Sequence, residues 1–479
     1  MPSRQPHVLL VSFPLQGHVN PLLRLGRRLA SKGLLVTFTT FRHAGLRALP
    51  DEDACLDDLW PAGSGRLRFE YLRCHLDDDE EEDPTELLRH VTNAGPAALS
   101  ALLRRQSDSG RPVSCVVNNP FAPWAVDVAP ETGVPCRATL WIQSCAVLSL
   151  YYHFYYNNSS SFPDDADPDR PVKLPGLPTL AADDLPLMVR PEFARNIWGN
   201  MLRAQLGQVE TKAVSWVLVN TFHGLERSAI DALRAHVPSI APVGPLLEQE
   251  EDELHDGELV EEEDNDGCMA WLDAQAPRSV VYVAFGSLVN IGRAETRAVA
   301  EGLVAAGRPF LWVVRDDTRH LLSADLLTSL SSDTNTNNIE SSNHSKIVSW
   351  CAQGRVLSHG AVGCFVTHCG WNSVAEALAA GVPVVGYPWW SDQFTNARFV
   401  VDEYRVGVRL PKPVTRDALR ACVDKVMMSG PEAAAFQVNA AAWKEEAGAA
   451  VAHGGSSDRN LEAFVADVRL ATSFRSGNG

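Results

Sequence analysis

Residues 350–393 read WCAQGRVLSHGAVGCFVTHCGWNSVAEALAAGVPVVGYPWWSDQ. Within them Gly363-Cys364-Phe365-Val366-Thr367 is apolar, β-rich and bounded by glycine, which predicts a short buried strand. His368 to Ser373 turns the chain. Val374 to Ala380 is rich in Ala, Leu and Glu and predicts a helix, stopped by Gly381 and Pro383. Val382 to Tyr387 is the next strand. A strand that turns through glycine into Asn-Ser at a helix start makes an anion site. The first-turn N–H groups point outward, and the helix dipole adds partial positive charge.

The side chains around that turn suit one ligand. His368 adds a hydrogen-bond donor. Glu376, four residues after Asn372, lies one turn along the same helix face. A carboxylate there accepts from two vicinal hydroxyls, as on a ribose. Trp350 supplies an aromatic plate, and Asp392-Gln393 supply acceptor and donor groups for sugar hydroxyls. Each residue alone reads more simply as structural: Trp350 as core, Glu376 as a solvated charge, His368 as a satisfied turn residue. Taken together they describe a nucleotide-sugar site.

In register, Trp350, Gln353, His359, His368-Cys369-Gly370-Trp371-Asn372-Ser373, Glu376, Gly381-Val382-Pro383 and Asp392-Gln393 resemble the donor signature of plant UDP-dependent glycosyltransferases, family 1. The resemblance implies a GT-B fold: two facing doubly wound, Rossmann-like α/β domains with a cleft between them. It implies that Trp350 stacks on uracil, that Cys351 belongs to the donor site, and that Gln353 and Glu376 bind ribose. His368, Asn372 and Ser373 would hold the diphosphate, and Trp371, Asp392 and Gln393 the sugar. Gln393 is similar to the glucose-using version of the signature. Pro388-Trp389-Trp390-Ser391 departs from it, since the family often has Gln before Trp390; Trp389 reads as a local variation.

The chain's 479 residues allow two domains. A net charge of −17 argues against nucleic-acid and anionic-membrane partners, but not against a nucleotide held by a helix end. Ten cysteines, none spaced C-x-x-C, read as free thiols in a reducing compartment. The apolar run after Pro6 is too short for a signal peptide, and no segment is apolar enough to span a bilayer. These features predict a cytoplasmic, monomeric protein.

The start of the chain reads as βαβ: a strand over His7 to Ser12, a turn over Phe13 to Gly17, a helix over Pro21 to Ser31 and a strand over Leu34 to Thr40. The single glycine of the first turn opposes an oxidoreductase with a G-x-G-x-x-G site. Residues 76–86 are an acidic loop. Further strands fall over Val113 to Val117, Ala138 to Ile142 and Trp216 to Asn220, with helices over Leu87 to Leu103 and Ile197 to Ala213. The acidic run 248–266 is the linker, dividing domain 1–247 from domain 267–457. The second half offers strands over Val280 to Ala284 and Phe310 to Val314 around a helix over Ala294 to Ala306. A polar insertion at 329–345 follows. Asp458 to Ala471 is the last helix, which by resemblance packs on the first half.

Phe13-Pro14-Leu15-Gln16-Gly17-His18 resembles the family's start, where this histidine is the general base of a single inverting displacement. An imidazole suits that role because it is mostly neutral at pH 7. Many relatives orient the base with an Asp; aligned on Phe121 and Pro123-Trp124, Asn119 stands there. Asp127 is an alternative partner, two helical turns on. Asn cannot stabilise an imidazolium by charge. Phenols would therefore be handicapped, whereas a carboxylic acid is already ionised at pH 7 and needs no base. The same Asn, with Leu140-Trp141-Ile142-Gln143, resembles the subgroup that esterifies hydroxycinnamates, gallate, limonoid acids and some auxins. By that resemblance Gln16, Phe121, Trp141 and Gln143 line the acceptor site. Ser287 would help meet the leaving-group charge, and no metal or cofactor is implied. The expected reaction joins glucose from UDP-glucose to a small aromatic acid as a β-glucose ester. Glucosylation of phenolic hydroxyls or carbon is the alternative, and non-catalytic nucleotide-sugar binding a more distant one.

Overall fold

The computed structural model describes residues 5–42, 60–62, 65–73, 83–157, 159–248, 267–286, 291–322 and 345–476. Most of the acidic loop (76–82), the linker candidate (249–266), Ser287 and the polar insertion (329–344) lie outside the described residues. The chain divides into two compact units, Met1–Glu261 with Ala449–Gly479, and Glu262–Gly448.

The first unit is built on eight strands: β1 (His7–Val11), β2 (Leu35–Thr39), β3 (Trp60–Ala62), β4 (Gly65–Phe69), β5 (Cys115–Asn118), β6 (Cys136–Trp141), β7 (Trp216–Val219) and β8 (Ile240–Pro242). Their order is β3-β4-β2-β1-β5-β6-β7-β8, parallel except for the β3–β4 pair. Val8, Leu9, Leu10 and Val11 have no exposure. Strands covered on both faces read as unbroken apolar runs, which is why β1 is plain in the sequence. Alternate residues serve opposite faces. Val8 and Leu10 pack with Leu461, Phe464, Val465 and Val468 of the Ser456–Ser476 helix, while Leu9 and Val11 pack with Leu88, Val91 and Leu99 of the Pro84–Asp108 helix. The sheet thus has a core on each side. Truncating Phe464 to alanine would cost about 3–5 kcal/mol.

The second unit has six parallel strands: β9 (Val280–Ala284), β10 (Phe310–Val313), β11 (Ser345–Val348), β12 (Val362–Thr367), β13 (Val384–Gly386) and β14 (Gly407–Arg409). Their order is β11-β10-β9-β12-β13-β14. Both sheets are doubly wound. Strand order reverses between β1 and β5 in one and between β9 and β12 in the other. The loops after those strands therefore gather at each switch point, where α/β folds bind ligands.

Two sequence expectations need correction. The first helix starts at Gln16 rather than Pro21, so Gly17 and His18 occupy its first turn and Pro21 lies inside it. Pro21 is the sixth helical residue, so it forgoes one interior hydrogen bond, the one an N–H there would make to the Gly17 carbonyl. The acidic loop ends at Asp83, not at residue 86. Asp83 caps the Pro84–Asp108 helix by accepting from the Thr85 N–H at 2.7 Å, and Pro84 takes the first helical position. Among the described residues no helix is long and apolar enough to cross a membrane, and all eight described cysteines are free.

Candidate active site

In the second unit, β12 ends at Thr367 and the chain turns through His368-Cys369-Gly370 into the Trp371–Ala380 helix. Cys369 takes a left-handed φ of 63°, which lets the chain reverse in so few residues. Gly370 caps the helix and, as a glycine, brings no side chain of its own to the first-turn N–H groups. Gly381, at φ 74°, ends the helix. The His368 ring is wedged between two glycines. A Cβ on Gly370 would fall 2.4 Å from its Nε2, and one on Gly286, after β9, would fall 2.6 Å from its Cε1. Burial holds the imidazole down to about 4, offset in part by the Ala284 backbone. His368 is thus a neutral donor at pH 7.

The remaining candidate residues of this unit interlock. Gln353 donates to the Ser373 hydroxyl at 3.0 Å and to Glu376 at 2.6 Å, and its carbonyl oxygen lies 3.4 Å from the Tyr282 hydroxyl. Tyr282 also reaches the Cys351 sulfur at 3.3 Å and stacks on Phe365. Trp350, next in sequence to Cys351, is half-buried; Trp371 is buried and Asn372 half-buried on the helix start. In the Gln393–Asp402 helix, Asn396 donates to Asp392 at 2.6 Å and to the Cys369 carbonyl at 3.0 Å. Gln393 accepts from the Trp389 and Trp390 N–H groups at 2.8 and 2.9 Å. Two incoming donors fix its oxygen inward, so the NH2 is the end Gln393 can present to a ligand. Trp389 packs under Lys412, whose Nζ lies 4.2 Å from its ring.

In the first unit, the loops after β1 and β5 meet. His18 is half-buried among rings: Phe13 at 5.4 Å, Phe121 at 5.6 Å, and Trp198 behind them, 5.1 Å from Phe121. Phe121 reaches its place through a left-handed φ of 71°. Burial lowers the His18 pKa to about 4. Asn119 and the Pro120 backbone offset this in part, but among the described residues none meets the buried Nδ1 with hydrogen-bond geometry.

Asn119 does not orient the ring. Its oxygen accepts from the Phe13 N–H at 3.0 Å, and its NH2 donates to the Ser12 hydroxyl at 3.0 Å and the His18 carbonyl at 2.9 Å. It therefore fixes the main chain that carries His18. Asp127 is held by Gln208 at 2.8 Å and is exposed. Gln16 bonds Asn20 within its own helix. Trp141 is 1% exposed and donates to the Ser144 carbonyl, a packing position; Gln143, two residues on, is half-buried.

The structure thus brings Gln353, Ser373 and Glu376 together, places His368 on the same helix-capping turn, and sets Asp392 and Gln393 beside it. Sequence reasoning missed Tyr282, Trp198 and Asn396. Only Asn396 left a signal, its spacing of four from Asp392 on one helix.

A family model described as UDP-glucoronosyl and UDP-glucosyl transferase matches residues 225–431. A protein named Gallate 1-beta-glucosyltransferase 84A23, from Punica granatum, is 40% identical over 97% of this chain and 90% of its own length. One named Cinnamate beta-D-glucosyltransferase, from Fragaria ananassa, is 39% identical over 97% of this chain and 82% of its own. Among solved structures, Os79 from O. sativa in complex with UDP superposes with a TM-score of 0.80, at 31% identity over 96% of this chain and 100% of that one.

Proposed function

Because the chain belongs to the UDP-glucoronosyl and UDP-glucosyl transferase family, we propose that it moves glucose from UDP-glucose to a small aromatic carboxylic acid, forming a β-glucose ester. Relatives named for gallate and cinnamate support the acid acceptor. The observation that carries the choice is His18. Held at about 4, it is a weak base. An imidazole with no charged partner is poorly matched to a phenol of pKa about 10. A carboxylate needs no deprotonation. Its oxygen attacks the anomeric carbon, the bond to the diphosphate breaks, and UDP leaves with the electron pair.

In this reading Trp350 takes the uracil, with Cys351 beside it, and Gln353 and Glu376 take the ribose. The glycine-capped helix start at Trp371-Asn372-Ser373 and the neutral His368 receive the charge that develops on the leaving diphosphate. Ser287 would add to them. Asp392 and Gln393 grip the sugar. Phe121 and Trp198 offer faces to an aromatic acceptor, with Gln16 and Gln143 as polar neighbours. The transfer uses no metal or cofactor, and the enzyme acts as a cytoplasmic monomer.

The test is a panel of aromatic acids and phenols supplied with UDP-glucose, followed by mild alkali. Products that alkali cleaves are esters and support the proposal. A phenol-dominated panel with alkali-stable products would overturn it.

A further inference from the structure

We propose that Asn396 is a positioning residue for sugar recognition: its buried amide pins the Asp392 carboxylate to the turn that carries the diphosphate site. This rests on the reading of Asp392 as a sugar ligand.

Asn396 is 1% exposed. Both hydrogens of its NH2 are spent, one on Asp392 Oδ2 at 2.6 Å and one on the Cys369 carbonyl at 3.0 Å. Asp392 is itself 7% exposed, and a carboxylate that far from water needs a donor to stay charged and in place. A carboxylate is planar, so fixing Oδ2 also fixes the direction in which Oδ1 points. Cys369 is the left-handed residue of the turn between His368 and Gly370. One amide therefore ties the sugar clamp to the backbone that sets the phosphate position.

The neighbouring ligand candidates are anchored elsewhere. Gln393 is held by the Trp389 and Trp390 N–H groups, and the nucleoside side by the Gln353, Ser373 and Glu376 contacts. Asn396 shares none of these hydrogen bonds. Disturbing it should weaken how the sugar is met much more than how UDP is met, because UDP feels it only through the Cys369 carbonyl. A residue that merely supported the fold would weaken both alike.

The experiment compares wild type, Asn396→Ala and Asn396→Ser. UDP affinity is measured by calorimetry, and kcat/KM with UDP-glucose and with its C4 epimer UDP-galactose. For Asn396→Ala, UDP affinity should fall only a few-fold, kcat/KM for UDP-glucose should fall roughly ten- to hundredfold, and the preference for glucose over galactose should narrow. Asn396→Ser keeps one donor and should fall between the two. Equal losses of UDP and UDP-glucose, or an Asn396→Ala enzyme with wild-type turnover and preference, would overturn the proposal. A wild type that uses neither nucleotide sugar overturns the donor reading and this proposal with it.

Discussion

The donor side in the second unit and the acceptor side in the first spend their polar atoms differently. On the donor side the side chains hold one another: Gln353 with Ser373 and Glu376, Asn396 with Asp392, Gln393 with its own loop. On the acceptor side His18 stands among Phe13 and Phe121, and Asn119 is committed to the backbone. A polar network fixes geometry closely enough to recognise a ligand carrying many hydroxyls and charges. An aromatic surround recognises ring shape and leaves the imidazole a poor base. The contrast predicts that donor substitutions act through geometry and acceptor substitutions through the choice of nucleophile.

The largest effect should come from crowding the donor turn. Gly370→Ala puts a methyl group 2.4 Å from the His368 ring and must displace it. Turnover should fall about a hundredfold or more, at near-normal thermal stability. An unchanged kcat would mean that His368 does not meet the leaving group. Next is Glu376→Ala, which also takes from Gln353 one of its two acceptors. UDP affinity measured by calorimetry should drop roughly tenfold or more. If UDP binds as before, the donor network is only scaffold.

Asn119→Asp tests the acceptor side. An aspartate can still accept from the Phe13 N–H, but it loses the donation to the His18 carbonyl and faces it with negative charge. Turnover of acids should fall by roughly tenfold, with no gain on phenols. A gain on phenols would mean that the carboxylate orients the ring after all, and the contrast between the two sites would dissolve.

Acid should also weaken the fold. His7, His18 and His368 are each held at about 4, mainly by burial, below the usual value near 6.5. The unfolded chain therefore binds more protons than the native one between those values. Stability should be full above pH about 6.5 and decline as pH falls toward about 4, read from denaturant midpoints. A flat profile across that window would show these rings to be solvated. The smallest effect belongs to Lys32→Ala, which removes contacts to Asp458 and Glu462 of the last helix at 2.7 and 2.6 Å. Glu462 is well exposed but Asp458 is buried, so the loss should be about 1–3 kcal/mol by chemical denaturation.

Much of this was readable before any coordinates. β9 and β12 are unbroken apolar runs because both faces of their sheet are covered, and Gly381 marks the end of the Trp371–Ala380 helix because it sits at positive φ. β4 was not readable. Arg66 and Arg68 interrupt its pattern, and Arg68 is nonetheless buried, donating to Gln106. β11 was hidden by the polar run before it. In the sites, residue types and spacing revealed which side chains belong together. They did not reveal what each atom does: that Asn119 holds backbone rather than ring, or that Gln393 has only its NH2 to give. Those assignments depend on which N–H or carbonyl lies nearest, and that is a property of the packed loops.

A single acceptor that carries both nucleophiles tests the central claim most directly. Supplied with UDP-glucose and 4-hydroxycinnamic acid at pH 7, the enzyme should yield the 1-O-acyl glucose ester, identified by the carbon to which the anomeric proton correlates in NMR. A product joined through the phenolic oxygen would contradict the account.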